Sequence, residues 1–134
     1  MLRFNLRFDS VLWIKAYKME FLMCEYTTFA DFWPYYLREH SQPATRAWHY
    51  VGTGLAILTL IFIVITQNWV FLPIAFISGY FFAWVSHGTI ERNKPATFTY
   101  PLWSLGADFK MLFCFLSGQM KDELIRAGVI SQEA

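Results

Sequence analysis

The sequence predicts an all-α protein, a small integral-membrane helical bundle built on a tight transmembrane hairpin. Three observations lead there. Of the 134 residues, 56% are hydrophobic and 20% aromatic, well above the usual composition of a soluble domain. From Ala47 through Ile90 there is no Asp, Glu, Lys or Arg, so the whole stretch can lie against hydrocarbon without desolvating a charge. Within it, Gln67-Asn68 is the only polar punctuation between two apolar runs, each close to the roughly 20 residues that cross a bilayer core.

In chain order, residues 1–28 read as an extension. Leu2, Phe4, Leu6 and Phe8 alternate with Arg3, Asn5, Arg7 and Asp9, which fits an interfacial anchor or sequence upstream of a start at Met19 or Met23. The run Val11 to Ile14 is too short for a signal-peptide core, and no cleaved signal is expected. The main domain, 29–120, opens with a helix capped by Asp31, carrying Pro34 in its first turn and ending near His40 before Pro43. The two spans follow, Trp48 to Thr66 and Trp69 to Ser86, with Pro73 in the tolerated first turn of the second. A fourth segment, Pro101 to Met120, is apolar at helical spacing through Leu102, Leu105, Phe109, Leu112 and Leu116 but carries Asp108 and Lys110, so it is expected half-buried or re-entrant. Residues 121–134 form a polar tail, in which Lys121-Asp122-Glu123-Leu124 is not terminal and so is no retrieval signal.

Charge sets orientation and excludes partners. Arg38 and Arg46 flank the entry of the hairpin and Arg92 and Lys94 its exit, while the Gln67-Asn68 turn has no basic residue. The positive-inside rule therefore places the open ends and both termini in the cytoplasm. A net charge of +1 argues against a nucleic-acid partner. The two cysteines, Cys24 and Cys114, sit among apolar residues outside any CxxC pair and are expected to be buried free thiols.

All three histidines, His40, His49 and His87, fall at the cytoplasmic end. Ala75, Gly79, Ala83 and His87 recur every four residues on the second span, and His49, Gly52 and Ala56 share a face of the first. Each histidine thus continues a stripe of small residues, where membrane helices approach closely. If those faces meet, His49 and His87 converge, and Glu91 joins them one turn on. Two histidines and a carboxylate suit non-haem iron(II), and three histidines with water suit zinc or iron equally. Against this stand ordinary readings: a histidine at the headgroups, Glu91 ion-paired with Arg92, and Asp108 paired with Lys110 or Arg92. Tyr35, Tyr36, Arg38 and Arg46 surround the same end, and Arg46 is placed to hold a carboxylate bidentately or to serve only as a topology determinant.

The stretches "FADFWPYYLREHSQPATRAWHYVGTGLA" and "SHGTIERNKPATFTYPLWSLGADFKM" closely resemble a family of small membrane proteins whose eukaryotic member is the 2-hydroxy fatty acid dioxygenase of fatty-acid alpha-oxidation. The likeness covers Phe29 to about Met120 and rests on YLxxH, RxxHxxG and the HxxxExNxPA run followed by PLWSL; Ser86 stands where many relatives carry glycine. It implies an iron(II)-dependent enzyme that uses O2 to shorten a long-chain 2-hydroxy fatty acid by one carbon. His40, His49 and His87 match the motif histidines and take the role of metal ligands. Glu91 and Asp108 are then the candidate catalytic carboxylates, and Arg46, Tyr36 and Asn93 the candidate substrate contacts, although the resemblance assigns no individual role to Glu91, Asn93, Pro95 or Asp108. The bilayer is the expected surrounding, an inner membrane in a bacterium or the endoplasmic reticulum in a eukaryote, and a homo-oligomer is left open. A non-catalytic lipid-binding or helper protein is the alternative, and a transporter a weaker third. The enzyme requires the histidines and a carboxylate to converge; the helper predicts that they point apart.

Overall fold

The computed structural model describes residues 26–132; the expected N-terminal extension, with Cys24 and the alternative starts, lies outside the described residues apart from its last three positions. Among the described residues there are helices and turns and no strand. Five α-helices are defined: α1 (Phe29–Arg38), α2 (Pro43–Thr66), α3 (Leu72–Ser86), α4 (Pro101–Leu116) and α5 (Met120–Arg126).

Helix α1 is capped by Thr28, not Asp31: the Thr28 hydroxyl oxygen accepts from the Asp31 N–H at 3.2 Å and donates to its carboxylate at 2.6 Å. Asp31 lies in the first turn, where its charge suits the helix dipole, and Pro34 falls one turn later than the sequence reading placed it, removing one i→i−4 bond. The helix buries Phe32, Trp33, Tyr36 and Leu37. Helix α2 starts at Pro43 rather than near Trp48, because proline fits the first helical position; Arg46 and His49 therefore ride on the span helix itself. Gln67, in the left-handed conformation (φ 54°), ends α2, and a 3₁₀ turn, Trp69–Phe71, leads into α3.

Among the described residues, helices α2 and α3 make the most extensive interhelical contact. Gly52 permits it: a Cβ there would lie 2.9 Å from the Phe82 Cβ and 3.0 Å from the Ser78 carbonyl. Two helical stretches, Pro43–Thr66 and Trp69–Glu91, are long and apolar enough to cross a membrane, and only 22% and 17% of their apolar windows are buried. The second stretch includes the turns at either end of α3.

Beyond α3 the helix widens into a π turn, His87–Glu91, and reverses at Arg92, whose φ is 57°. A 3₁₀ turn, Ala96–Phe98, then leads to α4. The segment expected to run unbroken from Pro101 to Met120 divides at Gly118 (φ 76°). There the Gln119 N–H reaches the Cys114 carbonyl at 2.8 Å and the Gly118 N–H the Phe115 carbonyl at 3.2 Å, a glycine-dependent C-terminal motif. Helix α4 buries Ser104, Ala107, Met111 and the free thiol of Cys114 while Leu102, Phe113 and Leu116 face outward. The stretch read as a polar tail contains most of α5, which buries Met120 and Leu124 and meets α1 where the Trp33 indole N–H donates to Glu123 at 2.7 Å.

The buried core lies among α1, α4 and α5 and centres on Phe32, Trp33, Tyr36, Leu37, Met111 and Leu124. It is aromatic: Tyr100 and Trp103 stack at 5.4 Å between ring centres, and Trp33 stacks on Tyr36 at 5.9 Å.

Candidate metal centre

Three elements each contribute one histidine where this core meets α2 and α3. His40 follows α1, His49 lies two turns into α2, and His87 opens the π turn after α3. All three are buried, and their candidate ligand nitrogens lie within 4.8 Å of one another. The His40 Nε2 is 3.2 Å from the His49 Nε2 and 3.0 Å from the His87 Nε2.

The partners of the other ring nitrogens decide what these contacts are. The His40 Nδ1 faces the Tyr36 carbonyl at 2.6 Å, the His49 Nδ1 the Asp108 carboxylate at 2.7 Å and the His87 Nδ1 the Asn93 Oδ1 at 2.7 Å. The Asn93 amide is fixed in this sense because its Nδ2 donates to the Glu39 carbonyl at 3.0 Å and carboxylate at 2.8 Å, both acceptors only. Each Nδ1 must therefore donate, and in each neutral imidazole the Nε2 is a bare lone pair. Three lone pairs then share one spot. A proton can bridge two of them; a cation satisfies all three.

The spacing agrees with that. With metal–nitrogen bonds of about 2.1 Å, ligand nitrogens at right angles lie about 3.0 Å apart and tetrahedral ones about 3.4 Å. Every Nδ1–H is held by a carbonyl or carboxylate oxygen, the outer arrangement metal-ligating histidines usually have. Burial foremost, then the repulsion that a positive charge on its neighbours His49 or His87 would add, holds the His40 imidazole well below its usual range against the opposing pull of the Tyr36 carbonyl, so His40 stays neutral and able to ligate. Borderline nitrogen donors suit iron or zinc alike.

Asp108 and Tyr36 brace the cluster. The Tyr36 hydroxyl donates to the Asp108 oxygen that also accepts from His49, and its ring stacks on His40 with centres 4.0 Å apart. Burial first, then the Asp108 charge, keeps the Tyr36 phenol well above its usual range, so it remains a donor. Asp108 is thus next to the histidines as a hydrogen-bond partner of one of them. Asn93 takes the same position toward His87, and Ser86, buried beside it, turns its hydroxyl back to the Ala83 carbonyl at 2.8 Å.

Two expected residues point elsewhere. Glu91 does not join the histidines: its carboxylate accepts the Gln42 N–H at 2.6 Å and the Ser41 hydroxyl at 3.2 Å. It caps α2 at an end whose own Gln42 side chain makes no cap. The π turn explains the departure, because a residue one α-turn past His87 is rotated off its face. Arg46 is buried, and one of its terminal nitrogens donates to the His40 carbonyl at 2.7 Å and the Ser41 carbonyl at 2.8 Å, so it shapes the loop that carries His40. The sequence reading missed Glu39, which holds Asn93 in place; a glutamate beside a histidine at a helix end carries no signal of that role.

The sequence matches one family model over residues 26–120, more than half of the chain, and that model is described as 2-hydroxy-palmitic acid dioxygenase Mpo1-like. No curated protein and no solved structure matches the chain.

Proposed function

Because the chain belongs to the Mpo1-like family, we propose that it is an iron(II)-dependent dioxygenase that converts a long-chain 2-hydroxy fatty acid and O2 to the acid one carbon shorter. The observation that carries this is the convergence of three buried Nε2 lone pairs whose Nδ1 atoms are all spent as donors. That arrangement favours a metal enzyme over a helper protein, whose histidines would have no reason to face one another.

His40, His49 and His87 would hold the ion, leaving positions for O2 and substrate. Iron(II), when bound, supplies the activation of O2 that no side chain provides. In the overall change the C1–C2 bond of the substrate breaks, C2 is oxidised to the new carboxyl, C1 leaves as CO2, and O2 takes up the four electrons, with water as the remaining product. The chain's own groups do the positioning. Asp108 orients His49 and raises its basicity as a ligand, Asn93 does the same for His87, and the Tyr36 carbonyl fixes His40. Tyr36, donating to Asp108, holds that carboxylate on the histidine side, and Arg46 keeps the His40 loop closed on the site.

The same reading sets α2 and α3 in a bilayer with the histidines at its cytoplasmic face. Leu58, Ile65, Val70 and Ile77 are 63%, 76%, 72% and 64% exposed, an apolar surface that water would penalise and lipid would not. An acyl chain can then reach the metal from the membrane.

Protein purified in detergent and loaded anaerobically with iron(II) should consume O2 on addition of 2-hydroxypalmitic acid and form the acid one carbon shorter. His87→Ala should bind less iron and lose activity by about a thousandfold or more. Wild-type protein that holds iron yet neither takes up O2 nor shortens the acid would put the helper role in its place.

A further inference from the structure

Directly below the histidines, a slot of ≈ 360 Å³ of empty volume, including its open mouth, lies between α2, α3 and α4. Asp108 lines it at one end, and the same Asp108 is hydrogen-bonded to His49. The α2 wall is Thr53 and Ala56, one and two turns beyond His49; the α3 wall includes Ala75 and Gly79. The rim is formed by Phe76, Leu105 and Phe109, which are 54%, 39% and 38% exposed. The slot thus opens sideways onto the apolar outer surface.

We propose that this slot seats the first part of the substrate's acyl chain and that Gly79 sets how much chain it accepts. The inference rests on the dioxygenase reading and extends it from the metal to the substrate. Continuity argues for it: a carboxylate head at the histidines leaves its chain beside Asp108, and apart from Tyr80 the walls from there outward are small or apolar. A seat for an extended chain needs narrow walls without polar demands, which alanine and glycine provide. Gly79 lines this space, and a Cβ added to it would meet nothing within 4 Å. Its neighbour across the helix pair, Gly52, is the opposite case, filled by Ser78 and Phe82. One glycine serves helix contact; the other leaves room. Most of that volume is the open mouth, so the slot seats only the first carbons and the distal part of a long chain lies along the outer face between α3 and α4.

The test uses the full chain in lipid nanodiscs and a 2-hydroxy fatty acid with a photoreactive diazirine in the middle of its chain. Wild type should give adducts on Phe76, Leu105 or Phe109. Gly79→Phe should cut labelling about tenfold or more at unchanged iron content, and shift kcat/KM toward shorter chains. Gly54→Phe, where an added Cβ also meets nothing within 4 Å but which does not line the slot, should label as wild type. If Gly79→Phe does not fold, Ala56→Leu narrows the opposite wall and should have the same effect. Unchanged labelling and chain preference in a folded, narrowed variant, or adducts spread along the outer face of α2, would overturn the slot while leaving the enzyme reading standing. Slot-specific labelling of a protein that holds iron without consuming O2 would keep the slot and remove the enzyme.

Discussion

The molecule has two regions that treat apolar side chains in opposite ways. Around α1, α4 and α5, Phe32, Leu37 and Met111 are wholly buried and the aromatic rings stack on one another. Along α2 and α3, residues as large as Leu58 and Ile65 face outward, and Ile63 is the one large apolar side chain buried there. The first region is stabilised as a water-soluble core is, by its own packing. The second holds together by close backbone approach at Gly52, with its surroundings left to satisfy the rest. One chain thus joins an inward-packed aromatic core to a helix pair that turns its apolar side chains outward, and the histidines stand where the two meet.

The sharpest way to break the comparison is one large-to-small change in each region. Phe32→Ala should cost about 3–5 kcal/mol, whereas Leu58→Ala, outward on α2, should change stability in detergent by less than about 0.5 kcal/mol; thermal unfolding of both decides. A smaller effect separates two glycines of α2. Gly52→Leu drives a side chain into α3 and should cost about 1–3 kcal/mol, with His49 and His87 displaced and iron binding weakened, while Gly54→Leu enters open space and should leave iron stoichiometry unchanged.

Acid should act through the junction. The His40 imidazole resists protonation in the folded chain, chiefly because it is buried, whereas in the unfolded chain it takes a proton near pH 6.5. The unfolded state therefore binds more protons below that pH, and stability falls as pH drops through about 6.5 toward the lower folded value, by at most about 1.4 kcal/mol per pH unit for this one group. Metal-free protein melted between about pH 8 and about pH 5 should show the decline, and His40→Phe should reduce its slope.

Much of this was legible in the sequence. The charge-free stretch from Ala47 to Ile90 outlined the two long helices, and the four-residue spacing that ends at His87 placed it on the face that meets His49. What escaped depended on backbone. Glu91 answers to the Gln42 N–H, 49 positions away, and every residue type but proline offers such a donor. The π turn that redirects it has no sequence signal. Helix α5 was read as tail because Lys121, Asp122 and Glu123 precede Leu124; what places it is a seven-residue helix whose buried contacts, Met120 and Leu124, are too few to show a period.

His40 belongs to the first region and His49 and His87 to the second, with about half of the main domain's sequence lying between His40 and His87. A centre divided in this way cannot be assembled by either part alone, so any metal it takes up would enter only after both have found their places. An ion held there would act as an inspector of the finished fold, and a chain whose helices are misplaced would not retain it.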